Sequence, residues 1–128
     1  MTKKELDSVV GKVWRHLKEN GSKTIDELQK ETQFTKEEII LSIGWLIQED
    51  NIEKTIGGEK KMVRNELNGI VGEIWKYLNE NGEKSVSRIV KDTGISNKDV
   101  LLSLGWLMQE DNVESKKKGR SEVYYLKS

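Results

Sequence analysis

The most concentrated chemistry in this 128-residue chain is cationic: Lys116-Lys117-Lys118-Gly119-Arg120 places four positive groups within five residues. Lysine and arginine at that density suit the phosphate oxygens of a polyanion, in contacts that weaken steeply as salt rises. Ser96-Asn97-Lys98 adds hydroxyl, amide and ammonium donors of the kinds that reach phosphate or base edges. A second set is apolar. Leu41 with Trp45, and Leu102 with Trp106, are i,i+4 pairs, a spacing that puts both side chains on one helix face. The first helix or the hairpin could cover these pairs; otherwise, since tryptophan beside leucine is an anchor type that proteins use for association, the four residues form a candidate repeat–repeat or partner interface.

Catalysis and metal binding find little material. The chain has no cysteine, which removes disulfides, thiol catalysis and zinc–thiolate sites together. A single histidine, His16, leaves almost nothing from which to build a triad or a metal site. Glu49-Asp50 and Glu110-Asp111 read as solvated helix ends, and Gly57-Gly58 lacks the lysine-serine/threonine sequel of a phosphate loop. No catalytic residue, metal or cofactor is expected, and the chain is not expected to be an enzyme. No apolar run approaches the roughly 18 residues needed to cross a bilayer, and there is no basic-then-apolar leader, so a cytoplasmic location without membrane contact is expected.

Lysine plus arginine total 22 against 22 aspartate plus glutamate, which argues against a uniformly basic coat for nucleic acid. The zero is a cancellation. Lys36–Glu53 holds one cation and five anions, whereas Ser115–Ser128 holds five cations and one anion.

The elements that position these residues come in two copies. Shifting the chain by 61 positions aligns Glu5–Glu53 with Glu66–Glu114 without a gap, and 22 of the 49 positions are identical. Val10-Gly11 and Trp14 fall on Val71-Gly72 and Trp75; Leu41-Ser42 and Gly44-Trp45-Leu46 fall on Leu102-Ser103 and Gly105-Trp106-Leu107. Such self-similarity marks a duplicated structural unit. His16 falls on Tyr77, so the position accepts a ring and does not demand a ligand.

Each unit reads as three helices and a hairpin. Leu6, Val9, Val10, Val13 and Leu17 make a helical stripe over about Lys3–Glu19, opened by Thr2 with Glu5 and stopped by Asn20-Gly21. Thr24 with Glu27 opens a second helix through Glu31, and Thr35 with Glu38 a third, with Phe34 placed to staple onto Ile39. Ser96, Asp99, Ile95 and Val100 repeat that pattern. In the third helix Ile39, Ile40, Ile43, Leu46 and Ile47 gather as the core side. Glu37, Glu38, Leu41, Trp45, Gln48 and Glu49 lie opposite, a face without arginine or lysine. Gly11, Gly44, Gly72 and Gly105 lie inside helices at about 1 kcal/mol each, which predicts close helix approach at all four. Hairpins follow over Ile52–Val63, around Gly57-Gly58, and over Val113–Leu126, around Gly119. Tyr124 and Tyr125 alternate on the last strand, one inward and one outward. Asn65 is the expected N-cap of the second copy's first helix, which leaves almost no linker.

Helix, helix, tight turn, helix, hairpin is the order of a winged helix-turn-helix. Leu104-Gly105-Trp106-Leu107, then Glu110-Asp111-Asn112-Val113, then Gly119-Arg120-Ser121-Glu122-Val123-Tyr124-Tyr125-Leu126 resembles the helix-three-to-wing segment of ArsR-type repressors. Gly72, Ile74-Trp75 and Leu78-Asn79-Glu80-Asn81-Gly82, with Leu104-Gly105-Trp106-Leu107, resembles more closely a family of small prokaryotic winged helix-turn-helix proteins with one unit per chain. The expected fold is therefore mainly α with short β-hairpins, two tandem winged helix-turn-helix domains over residues 1–63 and 64–128. The resemblance implies nucleic-acid binding or dimerisation, and its leading form is a DNA-binding or transcription-associated factor. Double-stranded DNA would meet phosphate contacts from Lys116, Lys117, Lys118 and Arg120 and weak base contacts from Ser96, Asn97 and Lys98. The alternative is a protein-interaction module, or self-association, through Leu41, Trp45, Leu102 and Trp106, a use the tandem winged helices of ESCRT-II subunits exemplify.

Overall fold

The computed structural model describes residues 1–49 and 64–127; the hairpin expected over Ile52–Val63 falls outside the described residues. The first unit supplies α1 (Lys3–Asn20), α2 (Ile25–Thr32) and α3 (Lys36–Gln48). The second supplies α4 (Arg64–Asn81), β1 (Lys84–Ser85), α5 (Val86–Thr93), α6 (Asn97–Gln109), β2 (Val113–Lys118) and β3 (Ser121–Leu126). The three strands form one antiparallel sheet in the order β1-β3-β2, with Val113 opposite Leu126 and Lys118 opposite Ser121. The described residues are mainly helical with a small sheet, and the second unit has the helix, helix, helix, hairpin order of a winged helix-turn-helix.

Local chemistry fixes the helix starts. The Thr2, Thr24 and Thr35 hydroxyls accept from the backbone N–H of Glu5, Glu27 and Glu38, and each glutamate carboxylate in turn accepts from the cap's backbone N–H at 2.8–2.9 Å. These reciprocal pairs satisfy two otherwise orphaned N–H groups per helix. The second unit closes only half of this arrangement at its second and third helices: Ser85 accepts from the Arg88 backbone at 3.3 Å, and Ser96 from Asp99 at 3.1 Å. The turn between second and third helices needs a left-handed residue, Gly94 at φ 76° in one unit and Gln33 at φ 69° in the other. Glycine adopts that region freely, whereas glutamine does so at a cost.

The third helices pack on each other and form the centre of the molecule. From Ile39 through Ile47 every residue of α3 is buried, and so is every residue of α6 from Val100 through Met108. A methyl group added at Gly44 would sit 1.9 Å from the Leu102 carbonyl oxygen, and one at Gly105 would sit 1.9 Å from that of Leu41. Each glycine thus admits the backbone of the other helix. Farther along, Gln48 donates to Glu110 at 3.4 Å and Gln109 to Glu49 at 3.3 Å. Equivalent positions meet at both levels, so α3 and α6 run side by side in the same direction about a pseudo-two-fold axis. The buried Ser42 and Ser103 hydroxyls donate back to the carbonyls of Glu38 and Asp99 at 2.7 and 2.8 Å, which keeps the seam free of unpaired hydroxyls.

Two expectations need correction. Gly11 and Gly72 mark no close approach, because a methyl group at either would meet nothing within 4 Å. A helical glycine therefore has two physical meanings here, and only burial separates them. Asn65 is not an N-cap, since α4 already includes Arg64. The side of helix three opposite Ile39 and Ile43 packs at its centre on the other repeat, which covers Leu41 and Trp45 and makes this a repeat–repeat interface.

Candidate nucleic-acid interface

The basic run occupies the end of the β2–β3 hairpin. Lys118 pairs with Ser121 across a two-residue turn, Gly119-Arg120, with Gly119 at φ 64°, the geometry that a glycine in the first turn position allows. Strand alternation then divides the lysines between two faces. Lys116 and Lys118 share one face and converge on a single carboxylate: Glu83, just before β1, lies 3.0 Å from the Lys116 ammonium and 2.8 Å from that of Lys118. Bonds from these two lysines hold the Glu83 carboxyl down to about 2. Lys116 also lies over the Tyr125 ring, 5.2 Å from its centre, and the Tyr125 hydroxyl donates to Glu114 at 3.0 Å. The half-buried tyrosine therefore has a cation over its ring, while Tyr124 is the inward one and is buried. Lys117 is on the opposite face, across from Glu122, and Arg120 is at the tip; both are exposed, and neither has an ion pair among the described residues.

The three residues at the start of α6 are not equivalent. The Ser96 hydroxyl is engaged as the helix cap, Asn97 is exposed, and Lys98 is half-buried. Beyond them the helix enters the seam. Leu41, Trp45, Leu102 and Trp106 are 2–5% exposed, so these side chains do not form an outer surface. Lys3 reaches back over the Trp45 ring at 5.9 Å.

Sequence reasoning missed two features of this region. One is Glu83, the carboxylate that gathers two wing lysines. The other is an open cleft of about 580 Å³ between the start of α5, β1 and the hairpin, lined by Lys84, Arg88, Lys91 and Lys118 with the hydroxyls of Ser87 and Ser121. The repeat alignment carried the signal: Ser22, Asp26 and Glu27 of the first unit become Glu83, Ser87 and Arg88 in the second.

His16 serves as a brace between helices. Its Nε2 lies 2.7 Å from a Glu31 carboxylate oxygen, tying α1 to α2, and the equivalent Tyr77 hydroxyl donates to Asp92 at 2.5 Å, tying α4 to α5. Burial and the bond to Asp92 push the Tyr77 hydroxyl up to about 12. Among the described residues no three histidine, aspartate or glutamate side chains cluster as metal ligands, and no helix is long and apolar enough to cross a membrane.

The profile of a winged helix-turn-helix domain (DUF2582) matches residues 1–65 and again residues 62–126. The chain belongs to this family and carries its domain twice. No curated protein and no solved structure matches it. Winged helix-turn-helix domains are commonly DNA-binding or regulatory modules and are typically not enzymes.

Proposed function

We propose that this tandem winged helix-turn-helix protein is a DNA-associated, transcription-related factor that grips the phosphate backbone with the wing of its second repeat and reads few bases. The observation that carries this reading is the seam. In a winged helix that reads sequence, helix three lies in the major groove, and paired units meet half-sites about 34 Å apart. Here α3 and α6 touch at Gly44 and Gly105, and the centre of each is buried on all sides. Two helices in contact cannot occupy successive turns of one groove face. What projects instead is the hairpin, with Lys117 and Arg120 unpaired among the described residues and Lys116 and Lys118 held on one surface carboxylate. Surface ion pairs of this kind are weak and exchange readily for phosphate. Base contact is then limited to Asn97 and Lys98, with Ser96 engaged as a cap.

Fluorescence anisotropy with two unrelated mixed-sequence duplexes tests the reading. Binding is expected at low salt, similar for both sequences, with a log–log salt slope of about −2 to −4 for two to four phosphates. Lys117→Ala with Arg120→Ala should make that slope shallower by about 2. Undetectable binding at low salt, or strong preference for one sequence, contradicts it. The leucine–tryptophan faces are closed to a third party while the seam holds, so a protein partner on them would have to displace a repeat.

A further inference from the structure

We infer that the cleft between the start of α5, β1 and the hairpin is a second phosphate site, which takes phosphodiester groups of the same nucleic-acid strand that lies on the wing. This rests on the wing reading above and extends it to residues of α5.

The two copies differ in charge around the start of the second helix. At equivalent positions the first unit has Ser22, Lys23, Asp26, Glu27 and Lys30, which sum to zero, and the second has Glu83, Lys84, Ser87, Arg88 and Lys91, which sum to +2. The change runs against local stability. Glu27 completes a reciprocal cap with Thr24, whereas Arg88 cannot return a bond to Ser85 and puts a positive charge at the positive end of a helix. A local rule broken in one copy and kept in the other marks a position shaped by something other than folding.

The geometry then shows what the exchange produces. Arg88 is anchored through Nε to Asp92 at 3.1 Å, and Asp92 is itself held by the Tyr77 hydroxyl. That bond leaves the two terminal guanidinium nitrogens without a bond among the described residues, in the planar fork that matches two oxygens of one phosphate. Lys84, Lys91 and Lys118 surround the same opening, which the Ser87 and Ser121 hydroxyls also line. Lys118 belongs to both the wing and the cleft, so a strand lying along the wing reaches the cleft through it. Glu83 also lines the opening; it already balances Lys116 and Lys118, and an incoming phosphate would compete with it for them.

The test gives the second unit the residues of the first. Ser87→Asp with Arg88→Glu restores the reciprocal cap, so the variant should fold with a thermal midpoint equal to or above that of the parent. Its affinity for a mixed-sequence duplex at low salt should fall at least tenfold, with a shallower salt slope, and Lys91→Ala alone should lower affinity two- to threefold. Unchanged affinity and slope in the double variant, while Lys117→Ala/Arg120→Ala loses binding, overturns the cleft and leaves the wing reading intact. Parent protein that binds no duplex removes the wing reading and the cleft with it. Amide shifts at Ser87 and Arg88 on adding inorganic phosphate, with none on adding duplex, overturn the proposal in favour of a free-anion site.

Discussion

Along the α3–α6 seam the two copies keep the same residues, Leu-Ser-x-Gly-Trp-Leu in each, whereas at the start of the second helix Asp26-Glu27 in one stands against Ser87-Arg88 in the other. Seam residues answer to each other: each glycine faces the backbone of its counterpart's helix, so a change on one side needs a change on the other. The exposed start of the second helix answers only to its own cap and to whatever approaches from outside. Duplication within one chain lets such outer positions diverge, because the two faces no longer need to be copies. The difference separates residues that hold the fold from residues free to give one repeat a charge the other lacks.

The largest effect should come from filling the seam. Gly44→Val or Gly105→Val forces a side chain into a carbonyl oxygen and should lower stability by about 3 kcal/mol or more, read by urea unfolding of the full chain. A loss below about 1 kcal/mol would mean that the helices can separate at little cost. The contrasting pair has the opposite sign. Gly11→Ala and Gly72→Ala meet nothing within 4 Å and should each stabilise by about 1 kcal/mol, the ordinary helix preference for alanine. The turn before helix three gives a smaller contrast: Gln33→Gly should raise stability by about 1 kcal/mol, and Gly94→Gln should lower it by a similar amount, because both positions are left-handed.

The smallest predicted change concerns the surface on which the copies differ. Glu83→Gln releases Lys116 and Lys118 and should tighten duplex binding about two- to fivefold, the range expected for losing a surface ion-pair competitor. The sign in pH follows from the depressed Glu83 carboxyl. Its pairing contributes fully above the ordinary carboxylate range and is lost as pH falls toward about 2. Glu83→Gln should therefore remove part of the acid-side fall in thermal midpoint and leave the neutral-pH profile nearly flat.

Much of the fold was legible in the sequence because its signals are local. Thr2 with Glu5, Thr24 with Glu27, and Thr35 with Glu38 each specify a boundary within three or four residues, and the structure places helix starts there. The seam was half legible. Leu41 and Trp45 stood out as apolar residues on the side opposite the unit's own core, which made a repeat–repeat interface one reading, but a single-unit wheel cannot choose between the other repeat, the wing and a separate partner. Gly11 and Gly44 look alike in sequence, and only tertiary contact distinguishes them. The cleft was not legible from composition, since Lys84, Arg88 and Lys118 are brought together by the pairing of β1 with β3 across almost forty residues. Glu83 was hidden for the same reason.

The direct test is the distance between the third helices in solution, with and without DNA. The chain has no cysteine, so Glu49→Cys with Glu110→Cys gives two unique sites for nitroxide labels at the adjoining exposed ends of α3 and α6. Pulsed electron–electron resonance should return a single distribution below about 25 Å, allowing for label length, unchanged when a mixed-sequence duplex is added. A distribution centred near or beyond the half-site spacing of about 34 Å, or one that moves there on adding DNA, would show that the helices part to read successive grooves and would contradict the seam.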